Sequence, residues 1–131
     1  MFRNLLLLAA RILIAVLFVP SGIHTLSNIA STTTYFGGLG FPLPILVAWG
    51  VGLLEFVGGA SVLLGFQTRP VAILLGAFSF AAGFIGHYGH GGTDPVLVTM
   101  HAQALMKDIA IAGGLLALSA AGPGAFSVDR A

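Results

Sequence analysis

The sequence predicts an all-α integral membrane protein, a four-helix bundle with both termini in the cytosol. Three observations predict it: the composition, the length of the apolar runs and the distribution of arginine. The 131-residue chain is 57% hydrophobic and only 7% charged, and its mean hydropathy is +1.04. A soluble domain carries about 25% charged residues. The chain therefore lacks the polar surface that a water-soluble globule of this size needs.

Four apolar runs are each long enough to cross a bilayer, which takes about 20 residues. We place them at residues 4–22, 44–66, 70–87 and 102–121, within one domain of residues 1–131. Glycine, proline and small polar residues fill the breaks between the runs. The long segment between the first two runs is predicted to be a loop on the membrane surface, anchored by aromatic residues, namely Tyr35, Phe36 and Phe41.

Arginine predicts the orientation of the bundle. With four spans, Arg3, Arg69 and Arg130 all lie on one side of the membrane. The loops on the other side, residues 24–43 and 88–101, contain neither lysine nor arginine. The positive-inside rule then places both termini in the cytosol.

Cysteine and net charge exclude several functions. The chain has no cysteine, which excludes disulfides, thiolate catalysis and cysteine-ligated iron–sulfur clusters on this chain. A redox role would therefore use a bound cofactor, a quinone or a partner subunit. The net charge of +1 provides no basic field for nucleic acid.

Charged side chains lie inside the predicted spans, where each costs at least about 2.5–3.5 kcal/mol if it is unpaired in lipid. Helical spacing predicts one inward stripe of mostly small residues on each span, and Arg11, Glu55 and Lys107 lie on these stripes. The stripes are Arg11, Ala15, Phe18 and Gly22 on the first span; Ala48, Gly52, Glu55 and Gly59 on the second; Ala72, Gly76, Ser79, Gly83 and His87 on the third; and Gln103, Lys107, Ala110, Gly114 and Ala117 on the fourth. Small stripes allow close helix packing, so the charges should meet inside the bundle. We therefore predict a chain of contacts Arg11–Glu55–Lys107, with Asp108 sharing the cations.

Two interpretations of this polar stripe remain open. It is either a proton-handling or headgroup-binding site, which could hydrogen-bond the carbonyl groups of a quinone, or an ion pair that only fixes the register of the helices. Under the first interpretation, the candidate catalytic residues are Glu55, Lys107, Arg11 and Asp108. The candidate cofactor-binding residues are His87, His24, His101 and Gln103.

All four histidines, His24, His87, His90 and His101, lie at the side opposite the arginines. Three histidines can bind a metal and two can ligate a haem, and histidine can also titrate together with a quinone. No histidine pair has the spacing of a metal motif on one helix. No metal site is therefore predicted, and His87 is the best candidate for hydrogen bonding within the polar core.

These residues resemble the DoxX family of small bacterial and archaeal membrane proteins. The resemblance covers Arg11 and the stretches 21–23, 40–44, 52–59, 65–69, 105–116 and 122–129. Two positions depart from the family pattern. The family often has a lysine shortly after the first span, where this chain has His24-Thr25, and commonly an asparagine at the position of Asp108.

The resemblance implies four transmembrane helices, a bacterial or archaeal plasma-membrane location and a link to quinone-dependent oxidoreductase complexes. The first expectation is therefore a membrane subunit that contacts quinone and works with other redox subunits or a second copy of itself. The first alternative is a non-catalytic membrane anchor or assembly factor. The second is a small-solute or proton transporter with Glu55 as the coupling carboxylate.

Overall fold

The computed structural model describes residues 1–130, which fold into five helices. These are α1 (Phe2–Ser27), α2 (Ile29–Gly38), α3 (Pro44–Leu64), α4 (Thr68–His87) and α5 (Pro95–Ala121). All but α2 are long and apolar enough to cross a membrane, which confirms the four predicted spans. The predicted domain ends at Ala131, which lies outside the described residues.

Three of the spanning helices are longer than predicted, α4 by only two residues at its start. α1 continues through Ser27, and α5 begins at Pro95 rather than near residue 102. The start of α5 is set by Asp94, whose carboxylate accepts a hydrogen bond from the Val96 N–H at 2.9 Å, and by proline in the first turn. At 27 residues, α5 is roughly 40 Å long and exceeds the hydrocarbon thickness of about 30 Å.

The prediction of a surface loop between the first two spans is wrong for most of its length. The segment forms α2, a helix of 10 residues with no buried residue. Its threonines have low helix propensity, but Thr32 and Thr34 donate their hydroxyls to the carbonyl four residues earlier. α2 packs against α3, so a tertiary contact outweighs the weak local preference.

The spanning helices associate as two close pairs, α1 with α3 and α4 with α5. In the first pair, a Cβ atom on Gly22 would lie 2.4 Å from the backbone nitrogen of Phe56, so only glycine allows this crossing. In the second pair, Gly76 faces Leu115 and Gly83 faces Asp108. The apolar core contains Phe18, Val62, Ala72, Leu75, Leu115 and Leu118.

The predicted inward face of α5 is wrong. All five residues of that stripe are exposed, namely Gln103, Lys107, Ala110, Gly114 and Ala117. The buried residues are Ala112, Leu115, Leu118 and Ser119. α4 already presents a glycine surface at Gly76 and Gly83, so close packing requires larger side chains on the helix that faces it.

The two ends of the bundle differ in their chemistry. The basic end carries the start of α1, the α3–α4 turn and the residues that follow α5, and the histidine end lies opposite. At the basic end, Arg3 donates to the Ala121 carbonyl at 2.7 Å. Arg69 donates to the carbonyls of Ser119 and Ala120 at 3.1 and 2.7 Å. These arginines satisfy carbonyls that α5 leaves free at its C-terminus and complement its dipole.

Residues 122–130 form a C-terminal strap that crosses the basic end. Two of its N–H groups form hydrogen bonds with the end of α3: Val128 N–H donates to the Leu64 carbonyl at 3.0 Å, and Asp129 N–H donates to the Gly65 carbonyl at 2.9 Å. Gly65 has a φ of 71°, and a Cβ atom there would collide with Ser127. The Asp129 carboxylate accepts from the N–H groups of Thr68 and Gln67 at 2.8 and 2.9 Å. The strap therefore caps the start of α4.

We expect the contribution of Asp129 to stability to depend on pH. The Thr68 N–H, aided by the Gln67 N–H, holds the pKa of Asp129 below its usual value of 3.8. Because the folded pKa is lowered, the stabilisation is complete above the ordinary value and is lost as pH falls through the folded pKa. Asp129→Asn should lower the free energy of unfolding at neutral pH by about 0.3–1 kcal/mol, because the amide keeps an acceptor oxygen but loses the negative charge at the start of α4.

The measurement is thermal unfolding of both purified proteins in detergent over a pH series that extends into acid. The difference between Asp129→Asn and wild type should shrink at the acid end. Arg130→Gln is the control, because Arg130 contributes only its backbone N–H to the strap, in a bond to Ser127. A difference that stays constant through the acid range would contradict the role of the carboxylate charge.

Candidate functional site

Glu55 lies near the middle of α3 and is 9% exposed. The Ser21 hydroxyl donates to its Oε2 at 2.7 Å, and the Thr25 hydroxyl lies 3.5 Å from its Oε1. These hydroxyls are four residues apart on α1 and therefore project from one face of that helix. The close approach of α1 and α3 at Gly22 brings them within reach of the carboxyl group.

The predicted chain Arg11–Glu55–Lys107 is wrong. Arg11 is fully buried, but it donates to the carbonyls of Leu63, at 3.1 Å, and Phe126 at the basic end. Arg11 also lies ten residues before Ser21 on α1, or roughly 15 Å along the helix. Lys107 is exposed on the outer face of α5. Among residues 1–130, neither cation pairs with Glu55, whose partners are two hydroxyl groups.

A cavity of about 880 Å³ lies beside Glu55, between the α1–α3 pair and the α4–α5 pair. α2 contributes to its wall toward the histidine end. Ser21, Thr25 and Glu55 line it from one helix pair, and His87 and Asp108 line it from the other. Most of the remaining wall is apolar, and it includes Leu17, Phe18, Phe36, Val51, Phe78 and Ile111.

The α4–α5 pair brings together three of the predicted site residues. The Nδ1 atoms of His87 and His101 are 2.8 Å apart, and His87 Nε2 lies 3.7 Å from Asp108 Oδ2. The His87 and Asp108 side chains are 30% and 28% exposed, so both are partly shielded by their neighbours. Gly83 allows Asp108 to lie this close to α4, since a Cβ atom on Gly83 would lie 2.8 Å from Asp108 Cβ. The ring of His90 is centred 5.5 Å from that of His101.

The other predicted residues lie apart from this arrangement. His24 lines the cavity, whereas Gln103 is exposed on the outer face of α5. The hydroxyls of Ser21 and Thr25 were not predicted as site residues. Thr25 continues the inward stripe of α1 by one turn, so extending the stripe beyond Gly22 would have found it. No group of three or more His, Asp or Glu residues in the described chain has a geometry that could hold a metal ion.

The chain is similar to a known family of proteins and to two bacterial membrane proteins. The profile of the DoxX family matches residues 6–88. "Inner membrane protein YqjF" of Escherichia coli strain K12 is 35% identical over 127 residues, covering 94% of this chain and 88% of that protein. "Inner membrane protein YphA" of the same strain is 34% identical over 128 residues, covering 98% and 91%.

A shorter match is found in a protein with a name that describes an activity. "Putative oxidoreductase CatD" of Bacillus subtilis strain 168 is 30% identical over 79 residues, covering 60% of this chain and 54% of that protein. No solved structure matches the chain.

Proposed function

Because the chain belongs to the DoxX family of membrane proteins, we propose that it is a membrane subunit of a quinone-linked oxidoreductase complex and holds a quinone beside Glu55. The chain is a multi-pass protein of the plasma membrane, as its relatives named inner membrane proteins are. The name of the shorter match supports a connection with oxidoreductases. The chain has no cysteine, so a partner subunit or another cofactor would supply the electrons.

The observation that carries the proposal is the cavity. Its volume of about 880 Å³ falls within the range of small-molecule sites, roughly 300–1,000 Å³. An apolar wall with a few polar groups fits a quinone, which is a flat apolar ring with two carbonyl oxygens. Glu55 on one helix pair and His87 on the other are the side chains that would bind those oxygens.

A bound quinone would supply two-electron, two-proton redox chemistry. Glu55 can give a proton to the cavity or take one from it, because its partners are hydroxyl groups rather than a cation that would fix its charge. The hydroxyls of Ser21 and Thr25 orient the carboxyl group in either protonation state, since each can donate or accept. The positive-inside rule supports an orientation with the basic end in the cytosol. The cavity would then lie toward the outer half of the membrane.

The test fills the cavity with one side chain. Ala82 lines the cavity, and Ala82→Phe should weaken binding of a short-chain quinone by at least about ten-fold, or 1.4 kcal/mol. Ala117→Phe is the matched control, because Ala117 is exposed on the outer face of α5. Binding is measured by equilibrium titration of a labelled quinone against purified protein in lipid nanodiscs.

Saturable binding by wild type, lost in Ala82→Phe and kept in Ala117→Phe, supports the proposal. Wild type that takes up no more quinone than empty nanodiscs would overturn it. The alternatives of a membrane anchor and a solute transporter both expect that second result.

A further inference from the structure

We propose that His101, His87 and Asp108 form a proton relay between the histidine end of the bundle and the cavity beside Glu55. Its purpose rests on the proposed function, because quinone chemistry exchanges protons with the surroundings. A second cavity of about 270 Å³ lies at the histidine end, lined by His87, Tyr88, Gly89, His90, Val98, Ala102 and Leu105. Among the described residues, only His87 lines both cavities. His87 is therefore the side chain that the two cavities share.

The contacts of the His87 and His101 rings indicate which nitrogen of each ring carries its proton. A separation of 2.8 Å between the Nδ1 atoms of His87 and His101 is a hydrogen bond that contains one proton. His87 Nε2 lies 3.7 Å from Asp108 Oδ2, which is too long for a direct hydrogen bond but fits one bridging water. A carboxylate only accepts, so an N–H of His87 at Nε2 is the form that this contact favours. Nδ1 of His87 is then the acceptor, and Nδ1–H of His101 is the donor.

This arrangement passes one proton inward by three coupled transfers. A proton from water binds Nε2 of His101, the proton on its Nδ1 moves to Nδ1 of His87, and the proton on Nε2 of His87 passes through one bridging water to the Asp108 carboxylate. Each ring ends neutral with its N–H on the other nitrogen, and Asp108 ends protonated at the cavity wall. The reverse sequence releases the proton and restores the starting tautomers, so the relay works in both directions.

The neighbouring titratable groups fit this path. The Nε2 atom of His90 donates to the Ile85 carbonyl at 3.1 Å, because a carbonyl can only accept. Its Nδ1 remains an acceptor, and its ring lies beside that of His101. Glu55, His24 and Tyr35 face the large cavity from α3, α1 and α2, and Lys107 is exposed on the far side of α5. The competing routes to Asp108 are therefore water within the large cavity, and water in the second cavity that reaches His87 without passing His101.

The experiment measures how fast Asp108 gains a proton. Purified protein in nanodiscs receives a pulse of protons from a photoacid in the surrounding water. Time-resolved infrared spectroscopy follows the carboxylic acid band that disappears in Asp108→Asn. His101→Gln should slow the appearance of this band by at least about ten-fold, since it removes a group that transfers protons. Thr99→Gln is the control, because Thr99 is exposed at the same end of α5 and lines neither cavity, and it should leave the rate unchanged.

Nuclear magnetic resonance of isotopically labelled histidine checks the same proteins. Wild type should show coupling across the hydrogen bond between the two Nδ1 atoms, and Thr99→Gln should keep it. An Asp108 band that never appears, or that appears equally fast in wild type and His101→Gln, would overturn the relay. Quinone binding is measured on the same preparations, so a protein that binds no quinone but shows the slowed band would refute the proposed function and retain the relay.

Discussion

Glu55→Gln should reduce quinone-linked turnover by about a hundred-fold or more, the usual contribution of a general acid or base, while the protein stays folded. Glutamine has nearly the same volume as glutamate and can still accept a hydrogen bond from Ser21 or Thr25. The substitution also removes the cost of a charge inside the membrane. Because no cation pairs with Glu55 in the described chain, no counter-charge is left unpaired. Only the exchangeable proton is lost.

The measurement combines membrane abundance with quinone-linked turnover of the native membranes. Ser21→Ala is the matched control, since it removes the 2.7 Å hydrogen bond but keeps the carboxyl group, and it should retain most of the turnover. Normal abundance together with normal turnover in Glu55→Gln would remove Glu55 from the mechanism. Glu55 would then serve only to fix the register of α1 against α3.

Arg11→Met should cause the largest loss of stability, about 3 kcal/mol. Arg11 is fully buried, and its guanidinium group donates to the carbonyls of Leu63 and Phe126. Hydrogen bonds to a charged group contribute about 1.5–3 kcal/mol each. Methionine fills much of the space but leaves both carbonyls without this donor. The loss is partly offset because a buried charge is removed with it.

Thermal unfolding of the purified protein measures this loss, and hydrogen exchange reports on the C-terminal strap. The N–H groups of Val128 and Asp129 should exchange faster in Arg11→Met, because the strap loses its contact at Phe126. Arg3→Met is the control, since Arg3 makes one exposed hydrogen bond to the Ala121 carbonyl. Weaker quinone binding with unchanged stability would instead place Arg11 in the site, as the sequence alone suggests.

The four spans were predictable because hydropathy and length constrain a membrane helix strongly. The inward faces of α1 and α3 were predictable too, since Arg11, Gly22, Gly52 and Glu55 lie at helical spacing and are all buried. On these helices, one charged residue and at least one glycine at helical spacing distinguish one face from the other. α4 has a similar face at Gly76, Ser79 and Gly83.

The face of α5 and the partners of Glu55 were not predictable from the same rule. α5 has small residues on more than one face, so spacing alone does not select the side that packs. The choice depends on α4, whose glycines accommodate Leu115 and Asp108. The expectation that Glu55 pairs with a cation also assumed that a carboxyl group inside the membrane requires a positively charged partner. In the structure, the hydroxyls of Ser21 and Thr25 are its partners instead. Serine and threonine are so common in sequences that their presence does not identify them as partners of Glu55.

The C-terminal strap has a consequence for biosynthesis. Arg11 and Phe126 are separated by 115 positions in the chain, so the ribosome adds the acceptor long after α1 has entered the membrane. Until then, the guanidinium group lacks one of its two carbonyl partners and needs water or lipid phosphate in its place. Closure of the basic end is therefore a late event in synthesis, and it occurs only in chains that have been translated through the strap.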